Sequence, residues 1–553
     1  MNAFLKTAAE PHIDYSALRA LVVDDNPGMR NALRLTLANF GVTKVQVAAN
    51  AAEALFQIRN REYDFILCDF NLGDGRDGQQ LLEELRHGNL IPLETVFMMV
   101  TSESFYEKVV ATAELAPDDY MIKPFSAEVL CSRLESILLR KKAFREVYRH
   151  FAAHELEAAI AACDALVRER PRYVVDALRF KGELLVTLGR FDEAEALYQQ
   201  VIQMRAIPWA RLGLARALHL QQKDEAAEAE LHDVLERAPE MVAAYDLLAD
   251  VRMAKKDAAG AQEALQRGVE ISSRTVRRQQ KLGETAYANG DLDTARKAYA
   301  TAIDKGRHSV FLSPGDYGNL CRVQAEQGDY KAVADTLKKN KSELLATPEG
   351  RLVTAVTQGV LHVQAGRQDE AAKSLDEAGV LRAAGTRGDP RLMLDLAGVC
   401  MSSGRHDEAD GIVAEVARNA HDSDALLAKA RKLYEESGRV DAGASVLASA
   451  TADVRRLNNE GVVLAQRGDF RTAAEKLLTA SESAPYNPRI AMNAVWVILK
   501  HIDKSGMDEP MIEAARRTLD AAERQAPGHP RLAGLRRDMK EMESRFGIQR
   551  KAG

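Results

Sequence analysis

Polar and charged side chains directly follow four of the apolar runs in the first 140 residues. In chain order they are Asp24, Asp25, Asp69, Thr101 and Lys123. Three acids gathered at one place without a counter-ion would repel each other, and each would raise the pKa of the others. A bound Mg²⁺ would neutralise them, because this hard cation takes carboxylate oxygens and keeps phosphate oxygens as further ligands. A lysine and a threonine would then supply the remaining charge and hydrogen bond that transfer of a phosphoryl group needs.

The elements that must position these side chains alternate between strand and helix. Apolar runs at residues 20–23, 44–48, 65–68 and 96–100, with a weaker fifth at 120–122, are typical of strands. Asn26, Asn50 and Ser126 are placed as helix N-caps between or after them. Alternating strands and helices predict a doubly wound α/β domain with a parallel sheet. Its ligands would bind beyond the carboxyl ends of the strands, where the polar side chains lie.

The motifs that these residues form resemble the receiver domain of bacterial two-component response regulators. They read VVDD at residues 22–25, VTSE at residues 100–103 and DDYMIKPF at residues 118–125, with the lone acid Asp69 after the third strand. The resemblance covers residues 19–140 and implies a CheY-like, flavodoxin-like fold with a five-stranded parallel sheet. We assign residues 18–140 to this receiver and residues 1–17 to an N-terminal tail.

The resemblance also implies the chemistry of the site. Asp69 would accept a phosphoryl group from a histidine kinase or a phosphotransfer protein, with Mg²⁺ as the cofactor. The metal would be held by Asp24, Asp25, Asp69 and the backbone carbonyl of Asn71. No enzymatic activity is expected beyond this acceptor role and the self-catalysed loss of the phosphoryl group.

Three further roles follow from the same resemblance. Thr101 and Lys123 would bind the phosphoryl oxygens, and Tyr120 occupies the family's aromatic switch position. The loop after Asp69 departs from the family pattern, since it reads FNLGDGRDG at residues 70–78, with Gly73 where proline is usual and one additional residue before the glycine. We expect a more flexible loop that adds Asp74 and Asp77 near the metal, which leaves the lifetime of the phosphorylated state open but not the identity of the acceptor.

The chain after residue 140 repeats with a period near 34 residues. Each unit reads as a helix, a short turn and a second helix with alanine five residues after the turn, as in LGRFDEA at residues 188–194. The turn positions are His154, Gly189, Gln222, Lys256, Gly290, Gly328, Gly366, Gly404, Gly438 and Gly468. This pattern resembles the tetratricopeptide (TPR) repeat. It predicts an all-α TPR solenoid of about ten helical hairpins at residues 141–487, with capping helices at residues 488–553.

Stacked repeats offer a concave face, on which we expect a client protein to bind. Residues 128–150, at the boundary with the receiver, contain neither glycine nor proline. They predict one nearly continuous helix, or two in close contact, and therefore a rigid connection. Phosphorylation would shift the receiver face made by the helix after the fourth strand, the fifth strand and the last helix. The same face would be available for pairing two receivers into a homodimer.

The composition excludes several classes of protein. The chain has 553 residues, of which 46% are hydrophobic and 28% charged, so most of it should be folded. A net charge of −6, without a helix-turn-helix or zinc-finger pattern, argues against DNA binding. No apolar run reaches the roughly 18–20 residues of a membrane span. Five scattered cysteines are typical of reduced thiols in a cytoplasmic protein.

These features favour a cytoplasmic two-component response regulator whose phosphorylation state controls protein binding by the TPR array. Three other interpretations stay open. The chain could be a phosphate sink or relay intermediate, an adaptor that delivers a bound client protein, or a scaffold whose receiver no longer functions.

Overall fold

The computed structural model describes residues 13–101, 117–205, 207–526 and 529–546. Within them the chain divides into two compact units. One contains the N-terminal α/β domain and the helices up to residue 312, apart from residues 187–189, and the other begins at residue 313 and includes those three residues.

The N-terminal domain is built on a parallel five-stranded sheet with the order β2-β1-β3-β4-β5. The strands are β1 (Arg19–Val23), β2 (Lys44–Ala48), β3 (Phe65–Asp69), β4 (Val96–Thr101) and β5 (Asp119–Ile122). Buried apolar side chains cover both faces of the sheet, since Leu21 and Ile66 belong to one cluster and Val22 and Leu67 to the other. The doubly wound parallel fold expected from the sequence is therefore confirmed.

Helices α1 (Pro27–Asn39), α2 (Ala51–Asn60), α3 (Gly78–His87) and α4 (Ala127–Ala143) flank this sheet. Three of them begin at the expected caps. The side chain of Asn26 accepts from the N–H groups of Gly28 and Met29, that of Asn50 from Glu53, and that of Ser126 from Val129. The helix expected after the fourth strand, which belonged to the proposed switching face, lies outside the described residues.

The boundary after the α/β domain consists of two consecutive helices. Helix α4 ends at Ala143 and α5 (Arg145–Ala152) begins two residues later. Phe144, which separates them, is buried and packs against the rings of Tyr148, Tyr173 and Phe180. The sequence predicted either one nearly continuous helix or two helices in close contact at this boundary, and the structure confirms the second of these.

Antiparallel helix pairs follow to residue 312. They are α6 (Leu156–Glu169), α7 (Val174–Thr187), α8 (Phe191–Met204), α9 (Pro208–Leu220), α10 (Asp224–Arg237), α11 (Val242–Ala254), α12 (Ala258–Ile271), α13 (Val276–Ala288) and α14 (Leu292–Gly306). The paired helices approach closely. A Cβ on Gly182 would overlap the ring of Tyr198, which is why only glycine fits at this contact.

The second unit continues with helices of the same kind. They are α15 (Pro314–Glu326), α16 (Tyr330–Lys339), α17 (Lys341–Leu345), α18 (Pro348–Gln364), α19 (Gln368–Ala383), α20 (Pro390–Ser402), α21 (His406–Asn419), α22 (Asp424–Glu436), α23 (Val440–Gln466), α24 (Phe470–Ser483), α25 (Pro488–Ser505), α26 (Glu509–Gln525) and α27 (Pro530–Arg545). No helix among the described residues is long and apolar enough to cross a membrane.

All ten turn positions expected from the sequence have a positive φ, between 58° and 81°. The left-handed conformation explains why glycine occupies seven of them. One part of the repeat pattern was wrong. Helix α23 runs without a break for 27 residues, so the second helix of one hairpin and the first helix of the next are a single helix. The spacing of only 30 residues between Gly438 and Gly468 reflects this missing loop.

Candidate functional site

The register of the sheet brings the polar side chains to one edge. Val23 pairs with Cys68, so Asp24 and Asp69 extend from neighbouring strand ends. Thr101 pairs with Ile122, which places Lys123 one residue beyond the adjacent strand. Because parallel strands end on the same side, residues far apart in the sequence meet at one place.

Three carboxylates converge at this edge. One oxygen from each of Asp24, Asp25 and Asp69 lies within 4.8 Å of the others. The Nζ of Lys123 lies 2.9 Å from Asp24 Oδ2 and 3.2 Å from Asp69 Oδ2. One ammonium beside three carboxylates leaves negative charge uncompensated, and carboxylate oxygens are hard ligands. These residues therefore fit a divalent cation such as Mg²⁺.

The environment of Asp69 is only partly polar. Burial raises the pKa of its carboxyl above the usual value, while the ammonium of Lys123 acts in the opposite direction. Its Oδ1 accepts a 2.8 Å hydrogen bond from the N–H of Phe70. A cation at the site would favour the charged carboxylate, which is the form that can act as a nucleophile.

Two of the remaining expected residues lie on strands. Thr101 is buried at the end of β4, and its carbonyl accepts a 2.7 Å hydrogen bond from the N–H of Lys123. Tyr120 is half-buried and packs against the apolar cluster on one face of the sheet. Thr101 is thus held beside Lys123, whereas Tyr120 contributes to the core of the domain.

Asn71 lies on the exposed loop that follows β3, and its side chain accepts a hydrogen bond from Gly73 N. The loop passes beside Asp25, since a Cβ on Gly73 would lie 3.7 Å from Asp25 Oδ2. Asp77, expected near the metal, instead caps α3 by accepting from the N–H of Gln80. Neither Asp77 nor Asp74 belongs to the group of three converging carboxylates.

Two residues not included among the expected site residues support the site. The N–H of Gly78 donates a 2.7 Å hydrogen bond to Phe70 O, and a Cβ at this position would overlap the backbone carbonyl of Asp69. Its match to the family's glycine was the signal that could have identified it. Arg30 donates from Nη1 to Asp24 O at 2.6 Å. No pattern in the sequence distinguishes Arg30 from other helix-surface arginines.

Comparison with known proteins agrees with this geometry. Residues 20–135 match the model of the response regulator receiver domain, and residues 144–208 and 181–231 match that of the tetratricopeptide repeat. The chemotaxis protein CheY of Pseudomonas aeruginosa is 30% identical over 123 residues, which are 22% of this chain and 98% of that protein. Chemotaxis protein CheY-3 of Vibrio cholerae is 29% identical over 123 residues, 22% of this chain and 93% of that protein.

Among solved structures, a tetratricopeptide repeat protein from Parabacteroides merdae is 14% identical, with a TM-score of 0.29 over 46% of this chain and 96% of that one. The matched modules belong to signalling and interaction proteins and not to a catalytic family. The chain belongs to the response regulators, with a CheY-like receiver domain at residues 20–135 followed by TPR repeats.

Proposed function

We propose that Asp69 accepts a phosphoryl group from a histidine kinase or phosphotransfer protein, and that its phosphorylation state controls the binding of a client protein by the TPR repeats. The position of Lys123 carries this proposal. Its ammonium lies within 3.2 Å of both Asp24 and Asp69, beside carboxylates that fit Mg²⁺. A nucleophile (Asp69), a cation site and a positively charged side chain (Lys123) would therefore all lie close to a phosphoryl group bound at this edge of the sheet.

The transfer requires little covalent chemistry from the protein. An oxygen of Asp69 attacks the phosphorus of the donor's phosphohistidine, and an O–P bond forms as the N–P bond breaks. The electron pair of the broken bond stays on the imidazole nitrogen. Lys123 and the hydroxyl of Thr101 hold the phosphoryl oxygens while the bonds exchange.

The metal site would be formed by Asp24, Asp25, Asp69 and the backbone carbonyl of Asn71. When bound there, Mg²⁺ neutralises charge on the phosphoryl oxygens. Asp24 is almost completely buried, and its carboxylate accepts hydrogen bonds from the N–H of Asn26 and from Lys123, so this ligand is held in place by the protein itself. Tyr120 would take the switch role, and a cytoplasmic location accords with five buried free thiols.

Phosphorylation at Asp69 can be tested by incubating the full chain with acetyl phosphate and Mg²⁺ and measuring its intact mass. We expect a gain of one phosphoryl group in the wild type and in Asp74→Asn, since Asp74 is exposed and outside the carboxylate group. Asp69→Asn should stay unmodified. An unmodified wild type, or a modified Asp69→Asn, would contradict the proposal.

Control of client binding needs a second experiment. The wild type, with and without phosphodonor, and Asp69→Asn are used to capture partners from an extract of the source cells. A partner whose recovery depends on phosphodonor in the wild type alone supports the proposal. A partner that is recovered equally with and without phosphodonor favours a scaffold. Phosphorylation of the chain without recovery of any stable partner favours a phosphate sink or relay.

A further inference from the structure

Helix α3 of the receiver and the loop before it lie against the TPR helices of the same compact unit. The receiver side consists of Phe70 and residues 76–87. The repeat side, which we call the docking surface, consists of Arg274, Arg277 and residues 305–311. Three hydrogen bonds join the two sides, from Arg76 Nε to His308 O at 3.3 Å, from Gln80 Nε2 to Lys305 O at 3.0 Å and from Ser309 Oγ to Glu83 Oε2 at 3.3 Å.

Aromatic rings and guanidinium groups complete the contact. Across the contact, the guanidinium of Arg274 lies 5.3 Å from the ring centre of Phe70, whereas the pair of Arg277 and Phe311, 4.8 Å apart, lies within the docking surface. The rings of His87 and Phe311 meet edge to face at 5.3 Å. The contact therefore combines polar and aromatic groups along the length of α3.

Acidic side chains of the receiver face arginines of the docking surface. Asp77 is attracted by Arg274 and Glu83 by Arg277, but at Glu83 the effect of burial outweighs that attraction. Burial raises the pKa of Glu83 to about 7, with Asp77 acting in the same direction and Ser309 and Arg277 in the other. The carboxyl of Glu83 has thus lost water by packing against the repeats.

This contact begins one residue from the phosphoacceptor. The N–H of Phe70 donates to Asp69 Oδ1, while the ring of Phe70 lies under Arg274. The loop that continues to Asp77 passes beside Asp25 and ends in the cap of α3. One short segment therefore serves the phosphorylation site at one end and the contact with the repeats at the other.

We propose that the docking surface is occupied by the receiver's own α3 in the unmodified chain and is released when Asp69 is phosphorylated. This inference rests on the proposed function. Because the unmodified chain is already docked, phosphorylation can change the exposure of this surface only by releasing it. An acyl phosphate on Asp69 would lie beside Phe70, and Asn71, whose carbonyl would hold the metal, belongs to the loop that leads to α3. Release exposes a basic, aromatic face that complements an acidic helix such as α3.

Hydroxyl-radical labelling of the full chain, read by mass spectrometry at Phe311, tests the proposal. Phe56, which is 71% exposed, serves as the internal reference. We compare the unmodified wild type, the wild type with acetyl phosphate and Mg²⁺, Asp69→Asn with the same additions, and the unmodified variants Arg274→Ala and Arg267→Ala. Arg267 is the matched control, because it is exposed and pairs only locally with Glu270.

We expect labelling of Phe311 to rise about twofold on phosphorylation, as a half-buried ring becomes exposed. Arg274→Ala should show the same rise without phosphodonor, whereas Asp69→Asn and Arg267→Ala should match the unmodified wild type. Phosphorylation confirmed by intact mass with unchanged labelling would overturn the release and leave the proposed function standing. Unchanged labelling in Arg274→Ala would overturn the role of the docking surface. A wild type that never gains a phosphoryl group would remove the proposed function and the release together.

Discussion

Gly78 lies where α3 approaches the backbone of Asp69 at the end of β3. Its N–H bonds to the carbonyl of Phe70, and the space for a side chain is taken by the backbone of Asp69 and by the sulfur of Met99 at 3.0 Å. The absence of a Cβ therefore allows α3, the helix that contacts the repeats, to lie this close to Asp69. A single methyl group would separate them.

We expect Gly78→Ala to destabilise the receiver by roughly 1–3 kcal/mol, because the overlap involves backbone atoms that cannot rotate away. The phosphorylation rate with acetyl phosphate should fall as well, since the backbone of Asp69 must move. Thermal unfolding and intact mass measure the two effects. Gly411→Ala is the control, because a Cβ there would meet open space within a helix. Equal behaviour of the two variants would contradict this account.

At the scale of elements, α3 connects the receiver to the repeats through a partly buried carboxyl. Glu83 has a pKa of about 7 in the docked arrangement, against 4.5 as its ordinary value. A raised pKa means that the docked state binds the proton more tightly than the released state does. The contribution of protonated Glu83 to docking therefore falls as the pH rises from about 5 to about 7, and this contribution is absent above that range.

We expect the labelling of Phe311, relative to Phe56, to be higher at pH 8 than at pH 5.5 in the unmodified chain. Ionising Glu83 while docked costs up to about 3 kcal/mol, so the change should be readily measured. Glu83→Gln should remove the pH dependence and keep the surface docked at both values. Glu62→Gln, an exposed carboxyl elsewhere in the receiver, should behave as the wild type. A pH dependence that persists in Glu83→Gln would assign the effect to another group.

The elements also show how far the sequence could predict the structure. The sequence predicted that Asp24, Asp69 and Lys123 lie together, because the carboxyl ends of parallel strands lie at one edge of the sheet. It also predicted the turn positions, because a left-handed backbone favours glycine. The hydrogen bonds between α3 and the repeats join residues 225 to 232 positions apart, and no local periodicity reports such a contact. The continuous helix α23 was missed although the short spacing of 30 residues between its flanking turns was visible.

At the scale of the whole molecule, the repeats depend on a recurring left-handed turn. His154, Gln222 and Lys256 adopt this conformation with φ values of 58°, 64° and 64°. The left-handed conformation costs a residue with a Cβ about 1–2 kcal/mol, and glycine avoids this cost. All three turns lie in the unit that also contains the receiver.

We expect the triple variant His154→Gly, Gln222→Gly and Lys256→Gly to raise the free energy of unfolding by about 1 kcal/mol. The relief of strain exceeds the greater chain entropy that glycine gives the unfolded state, by a few tenths of a kcal/mol at each turn. Gly290→Ala, at a turn with φ of 78°, should lower stability by about 1 kcal/mol. Urea unfolding of the full chain measures both, and a triple variant less stable than the wild type would be the contrary result.

The uninterrupted helix α23 limits where the second unit can bend. Its backbone is hydrogen-bonded from Val440 to Gln466, so a pivot within it would break several of these bonds at once. The turns at Gly438 and Gly468, on either side, are held by fewer backbone hydrogen bonds, among them those from the N–H of Arg439 to Tyr434 O and from the N–H of Asp469 to Leu464 O. A partner that alters the curvature of this part of the molecule must therefore rotate α23 as one rigid body about its two ends. The helices packed against both halves of α23 will then move together.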